Sequence, residues 1–136
     1  MLADEDGSAN ILWNTQPLPD AMYGAYSLRR YAPDGTATTV ATSLFGEVPG
    51  AVMSGASHCG GVVLTGSAFH QGRKDLWIAR HAPDATRMWT FEQVFGPADE
   101  AEGWRIAAAP GGDVVVTATF RLGDGYAHWL GRLAGG

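Results

Sequence analysis

The chain has 136 residues, of which 46% are hydrophobic and 17% are charged, so its composition is that of one globular domain and places it outside the class of disordered proteins. The net charge of -5 argues against a nucleic-acid binder and against a polybasic membrane anchor. The single cysteine, Cys59, excludes an internal disulfide framework, and no apolar run approaches the length of a membrane span.

The N-terminal segment is acidic. Residues 4–10 have the oxygen-rich look of a calcium loop but lack the closing glutamate of an EF-hand, so we expect a solvated acidic terminus and no metal. The first residues also lack the basic and apolar regions of a signal peptide, which favours an intracellular protein or a processed piece. A strand is predicted at residues 9–13.

Much of the chain repeats itself at a spacing of about fifty residues. The segment Tyr26–Thr36 returns as Leu76–Thr86, and a decayed third copy lies at residues 128–135. In the same way, Gly60–Gly66 returns as Gly111–Ala118. A fixed period of this size is typical of repeat architectures.

One full unit is predicted to contain four short strands, each bounded by Gly, Pro or Asp. They lie at residues 51–57, 62–69, 75–81 and 87–95. Residues 98–109 are the only helix candidate, but the corresponding region of the preceding copy contains Pro49, Gly50 and Gly55. Because two copies of one repeat should share a backbone, we predict a strand at 104–108.

Two kinds of connection join the predicted strands. Cys59–Gly61 and Pro110–Gly112 depend on glycine for a positive φ, whereas residues 32–35 and 82–85 use Pro followed by Asp. The connections at the opposite ends of the strands are longer and more charged: residues 46–50, 69–74, 96–103 and 120–125. We expect these longer connections to emerge on one face, which would be the contact surface.

Several of these motifs resemble a known bacterial repeat. They are Asp75–Arg80, Ala82–Asp84, Trp89, Phe95 with Gly96, and Ala107–Val115. They are similar to the β-propeller repeats of secreted or lipid-anchored bacterial surface proteins, and the resemblance covers about residues 23–136. It implies four-stranded antiparallel blades, an interaction or scaffolding role and a secreted or cell-surface location. It transfers no catalytic residue, and Ala85 departs from the pattern because glycine is usual there.

We therefore predict an all-β protein of β-propeller-type blades, with about two and a half repeats. A partial blade is expected at 9–45, a full blade at 46–95 and a second partial blade at 96–136. Because a propeller needs roughly four blades to close a ring, we expect self-association or further blades.

The predicted function is a non-catalytic interaction or scaffold module without a cofactor, whose partner is a protein or a glycan. The alternatives are a carbohydrate-binding, lectin-like module and, third, a hydrolase on a propeller scaffold. Cys59 next to His58, the four histidines, and the acid pair Asp99 and Glu102 all lack the arrangement that catalysis or metal binding requires.

Trp104 is the aromatic residue that we expect to face a ligand, since it follows a charged connection. The predicted ligand-binding set is Trp104, Arg105, Asp99, Glu102, His70 and Arg73. Trp77 and Trp129 recur at matching strand positions, so we expect them to pack between blades. His81 replaces Tyr31 of the other copy, which also indicates a packing position.

Overall fold

A computed structural model describes residues 2–17, 23–44, 50–70, 72–95 and 100–134. These residues form eleven β-strands and the turns between them, with no helix, so the predicted all-β class is confirmed. Every strand pair in the sheets is antiparallel.

The strands fall into three antiparallel groups, in each of which neighbours along the chain pair with one another. The first meander contains β1 (Leu2–Ala3), β2 (Ala9–Pro17), β3 (Tyr23–Tyr31) and β4 (Ala37–Leu44). The central meander contains β5 (Gly50–His58), β6 (Gly61–His70), β7 (Arg73–His81) and β8 (Arg87–Gln93). The last meander contains β9 (Ala101–Ala108), β10 (Val114–Leu122) and β11 (Gly125–Leu133). Among the residues described, one pair, Tyr23 with Gly50, joins the sheet of the first meander to that of the central meander.

The predicted strands of the central unit correspond to β5–β8, and β9 confirms a strand at 104–108. Strand β1 was not predicted. It pairs with β2 through Leu2 and Asn10, so the acidic segment forms a hairpin turn between two strands. Asp4 at this turn has only 9% of its side chain exposed, because it forms an ion pair with Arg30. The expectation of a solvated terminus is therefore wrong for Asp4.

The Pro-Asp turns have the predicted geometry. In the turn of residues 32–36, the N–H groups of Gly35 and Ala32 donate to the carbonyls of Ala32 and Thr36, each at 2.9 Å. The turn of residues 82–86 makes the same two bonds at the same distances. Gly35 has φ +85° and Ala85 has φ +65°, so the position at which glycine is usual requires the left-handed conformation in both turns.

Two of the four connections expected to be long are tight turns. His70 pairs with Arg73, and Leu122 pairs with Gly125, which leaves only two residues in each turn. Gly72 (φ +81°) and Gly123 (φ +57°) supply the backbone conformation that such turns need. Arg73, Lys74 and Arg121, which were assigned to these loops, therefore lie on extended strands, whereas Asp124 is in the turn. Of the other two connections, residues 46–49 and 96–99 lie outside the described residues, and residues 101–103 belong to β9.

The meanders pack through two apolar cores. The first core, between the first and central meanders, contains Tyr26, Leu28, Val52, Val62, Leu64, Ala68, Trp77, Ala79 and Ala85. The second core, between the central and last meanders, contains Val63, Leu76, Ile78, Ala101, Ile106, Val114, Val116 and Ala118. Because successive side chains of a strand point to opposite faces, β6 contributes to both cores, which explains its nearly continuous run of apolar and small residues.

The two recurring tryptophans pack as expected. Trp77 is completely buried in the first core, with its ring edge-on to Tyr26 at a centroid distance of 5.4 Å. Trp129 is half-buried against the second core, edge-on to Phe95 at 5.8 Å. These large aromatic rings therefore contribute to the contacts that hold neighbouring meanders together.

Candidate functional site

The predicted ligand-binding residues separate into two groups. Glu102, Trp104 and Arg105 lie on β9, whereas His70 and Arg73 flank the turn between β6 and β7. Asp99 lies outside the described residues. The described residues of this set thus lie on a face of the last meander and at the β6–β7 hairpin end, and Lys74 joins the two by its contact with Glu102.

Trp104 stands on the outer face of the last meander. A register shift opposite Thr117 and Ala118 leaves it as the extra residue of a β-bulge, which turns its side chain outward with 40% of its area exposed. Its indole Nε1 donates a hydrogen bond to Thr119 Oγ1 at 2.6 Å, which fixes the orientation of the ring. Arg105 donates to the Trp104 carbonyl at 2.8 Å. This bulge is the local cause of the exposed aromatic surface.

A groove runs along this face beside Trp104. One part has a volume of about 590 Å³ and is lined by Trp104, Thr117, Ala118, Thr119, His128, Trp129 and Leu130. The adjoining part, of about 370 Å³, is lined by Glu100, Glu102, Trp104, Thr119, Phe120, Tyr126 and His128. Shared residues make the two parts continuous. We call this surface the last-meander face; it combines exposed apolar area with two carboxylates.

The exposure of the last-meander face contrasts with equivalent positions in the central meander. Leu130 pairs with Thr117 as Ile78 pairs with Thr65, yet Leu130 is 71% exposed and Ile78 is completely buried. Ile78 is buried because the last meander covers it. Leu130 is thus apolar, like the buried residue at the equivalent position of the central meander, but no described residue of the chain covers it.

A second open face lies on the first meander, on the side that faces away from the central meander. Ile11 (36% exposed) and Trp13 (39% exposed) project from β2, and the Arg29 guanidinium lies 5.7 Å from the centre of the Trp13 ring. Ile11 pairs with Arg29 as Leu64 pairs with Ala79, and the latter two are completely buried. We call Ile11, Trp13, Arg29 and Tyr31 the first-meander face.

Sequence reasoning missed the first-meander face. The signal was present in the repeat, because aligning Tyr31 with His81 places Ile11 at the position of Leu64. The same alignment places Trp13 where the central meander has Gly66. The first-meander face therefore carries a large aromatic ring where the central meander has a buried glycine.

His70 and Arg73 belong to a charged cluster at the end of the central meander. The cluster offers three potential metal ligands, one atom from each of His70, Asp75 and Glu92, and these atoms lie within 4.8 Å of one another. Such a donor set suits a divalent cation. However, Arg73 donates from Nε and NH2 to the two oxygens of the buried Asp75 carboxylate, at 2.8 and 2.9 Å. A cation would have to displace this guanidinium. The cluster is therefore best described as an ion network that holds the β6–β7 turn.

Glu102 is tied to the central meander. Its carboxylate accepts a hydrogen bond from Lys74 Nζ at 2.8 Å, and the Ala101 carbonyl accepts one from Ser67 Oγ at 3.0 Å. These contacts connect the start of β9 to the ends of β6 and β7. Glu102 consequently reaches the groove from a fixed position, with its charge already balanced by Lys74.

The remaining titratable residues have structural surroundings. Burial, followed by the charge of Arg80, lowers the pKa of His58, while the neighbouring Cys59 thiol is exposed on a hairpin turn. His81 is completely buried. Its burial lowers its pKa, although a hydrogen bond to the Ala85 carbonyl opposes this shift and Arg87 adds to it. The packing role predicted for His81 agrees with this environment.

Comparison with models of known protein families and with curated proteins finds no match to this chain. None of the described residues belongs to a helix long and apolar enough to cross a membrane.

Proposed function

We propose that this chain is a non-catalytic interaction or scaffold module, built of β-propeller-type blades, that binds through the sheet faces at the two ends of its stack. The blade interpretation is supported by antiparallel meanders that pack through two apolar cores. It is also supported by the recurring sequence segments and by the resemblance to bacterial surface propeller repeats.

The observation that carries the proposal is the exposure of the last-meander face. Leu130 and Tyr126 expose 71% and 70% of their area beside a groove that also contains Trp104. Contiguous apolar surface of this kind, bordered by polar groups, is typical of binding sites. The proposed contact surface is therefore a sheet face and not the end with the connecting turns.

The test is a binding array that presents three classes of ligand: random peptides, glycans, and the chain itself. We expect at least one class to bind the labelled protein and Leu130→Asp to reduce that binding at least about tenfold, because a charge would be buried at the contact. Met88→Asp is the matched control, since Met88 is 52% exposed on β8, outside both faces. Absence of binding to all three classes, or equal loss in both variants, would contradict the proposal.

A lectin-like module is the second candidate, because the groove places an aromatic ring beside hydrogen-bonding groups. Trp104 offers a ring for stacking, while Glu102, Thr119 and His128 offer polar atoms in the same groove. Under this alternative only the glycans bind, Trp104→Ala abolishes the binding and Trp104→Phe retains part of it. Binding that survives Trp104→Ala would exclude the glycan site at this residue.

A further inference from the structure

We propose that two copies of this chain associate head to tail, with the first-meander face of each copy covered by the last-meander face of the other. This inference rests on the proposed function, since it takes the same two faces as contact surfaces. It goes further in naming the occupant, which is a second copy of this chain.

The chain itself shows what covers such a face. In both cores, the face of one meander is buried against the face of the next. Ile78 is buried by the following meander and Leu64 by the preceding one. Leu130 and Ile11 occupy the corresponding positions in the two terminal meanders, and both are exposed. An incoming last-meander face would bury Ile11 as the first meander buries Leu64.

The two faces are also complementary in charge. On the first-meander face, the Nε of Arg29 is buried without a hydrogen-bond partner, and its NH1 has only a 3.4 Å contact with the Tyr31 hydroxyl. On the last-meander face, the carboxylates of Glu100 and Glu102 border the groove. Because Glu102 already pairs with Lys74, the Glu100 carboxylate is the acceptor proposed for the Arg29 guanidinium, and this pairing favours contact between unlike faces.

The number of copies follows from the number of meanders. Closed propellers have roughly four to eight blades, and two copies of the three described meanders would give six. A head-to-tail contact that closes after two copies gives two identical interfaces related by a two-fold axis. Both open faces are then covered and no further copy is added.

The first experiment measures the molar mass in solution by light scattering and by sedimentation. The native chain of 14.3 kDa is expected to have twice this mass. Ile11→Asp and Leu130→Asp should each weaken the dimer at least about 100-fold and give monomers, whereas Met88→Asp should stay dimeric. Both substituted residues are exposed within the chain, so circular dichroism should show that the monomers retain their strand content.

The second experiment mixes the two variants. Ile11→Asp retains an intact last-meander face and Leu130→Asp an intact first-meander face, so the mixture should form a heterodimer through one interface. A contact between two like faces predicts a different result: one variant alone would remain dimeric and mixing would add nothing.

A monomeric native chain, or a dimer that survives both substitutions, would overturn the inference. The proposed function is judged separately. If the native chain is monomeric but Leu130→Asp still abolishes peptide or glycan binding on the array, the faces are binding surfaces and only the second copy is wrong.

Discussion

The hydroxyl of Tyr26 lies 2.7 Å from Nε2 of His81, across the core between the first and central meanders. Nδ1 of the same ring lies 2.8 Å from the Ala85 carbonyl, so Nδ1 carries the proton and Nε2 accepts a hydrogen bond from Tyr26. Both side chains are completely buried. Burial favours the neutral ring, and protonation would place a charge in this core and reverse the Tyr26 hydrogen bond, which links the contact between the meanders to pH.

We expect the free energy of unfolding to fall as the pH is lowered below about 6.5, the usual histidine pKa in an unfolded chain. Burial lowers the pKa of His81 and of His58 in the folded state, so the unfolded state binds more protons in this range. Each histidine contributes at most about 1.4 kcal/mol per pH unit, and its contribution ends below its folded pKa. Urea unfolding at a series of pH values between neutrality and the acid range measures the slope.

His81→Gln should reduce this slope, because glutamine can make both hydrogen bonds but does not titrate. Tyr26→Phe is the control: it removes one hydrogen bond and lowers stability at every pH, yet it leaves the buried imidazole to titrate. A His81→Gln slope equal to that of the native chain would show that His81 does not cause the acid sensitivity.

The strands could be predicted from the sequence because their signals are local. Trp104–Ala108 was correctly assigned to a strand from the backbone required by its repeat partner, despite a helix-like composition. Strand β1 could not be predicted, since two residues carry no periodicity and depend on pairing with β2. The turn lengths at 70–73 and 122–125 were also missed, because Arg73, Lys74 and Arg121 were assigned to loops although they belong to paired strands.

The candidate site was predicted only in part, for a geometric reason. Exposure of Trp104 was expected from its place beside a charged connection, and the bulge in β9 supplies it. His70 and Arg73 lie in an ion network at the tight β6–β7 turn, next to Lys74, which contacts Glu102, so their part in a ligand site stays a prediction. The exposure of Tyr126 and Leu130 was not predicted, since the alternating pattern of a strand does not show which of its two faces remains uncovered.

Cys59→Asn should stabilise the chain by about 0.5–1 kcal/mol. Cys59 (φ +48°) and Gly60 (φ +75°) form a two-residue turn with a positive φ at both positions, and asparagine tolerates this conformation better than cysteine. Cys59→Ser is the matched control, because it removes the thiol but keeps the strained backbone, so no gain is expected. A gain from serine equal to that from asparagine, measured by urea unfolding, would assign the effect to the thiol.

Gly103→Ala should destabilise the chain by about 1–3 kcal/mol through overpacking. A Cβ at Gly103 would lie 1.9 Å from Thr65 Oγ1, and Thr65 is completely buried with its hydroxyl bonded to the Trp77 carbonyl at 3.1 Å. Strand β9 must therefore approach the central meander without a side chain at this point. Gly125→Ala is the control, since the nearest atom to its Cβ would be the Leu122 carbonyl oxygen at 3.8 Å. Equal thermal stability of the two variants would argue against close contact between β9 and β6.

Arg30→Met should cost about 1.5–3 kcal/mol, because Arg30 joins three segments through charged hydrogen bonds. NH1 lies 2.6 Å from the Asp4 carboxylate and 2.7 Å from the Gly60 carbonyl, and only 15% of the side chain is exposed. Methionine leaves the buried Asp4 carboxylate without its cation and frees the β1–β2 turn from the β5–β6 turn.

Arg132→Met provides the comparison, since Arg132 also pairs with an aspartate, Asp113, but is 71% exposed. Solvent screens that pair, so we expect a change below about 1 kcal/mol. Equal losses in the two variants, measured by urea unfolding at low and high salt, would show that the Arg30 contact is only a surface ion pair.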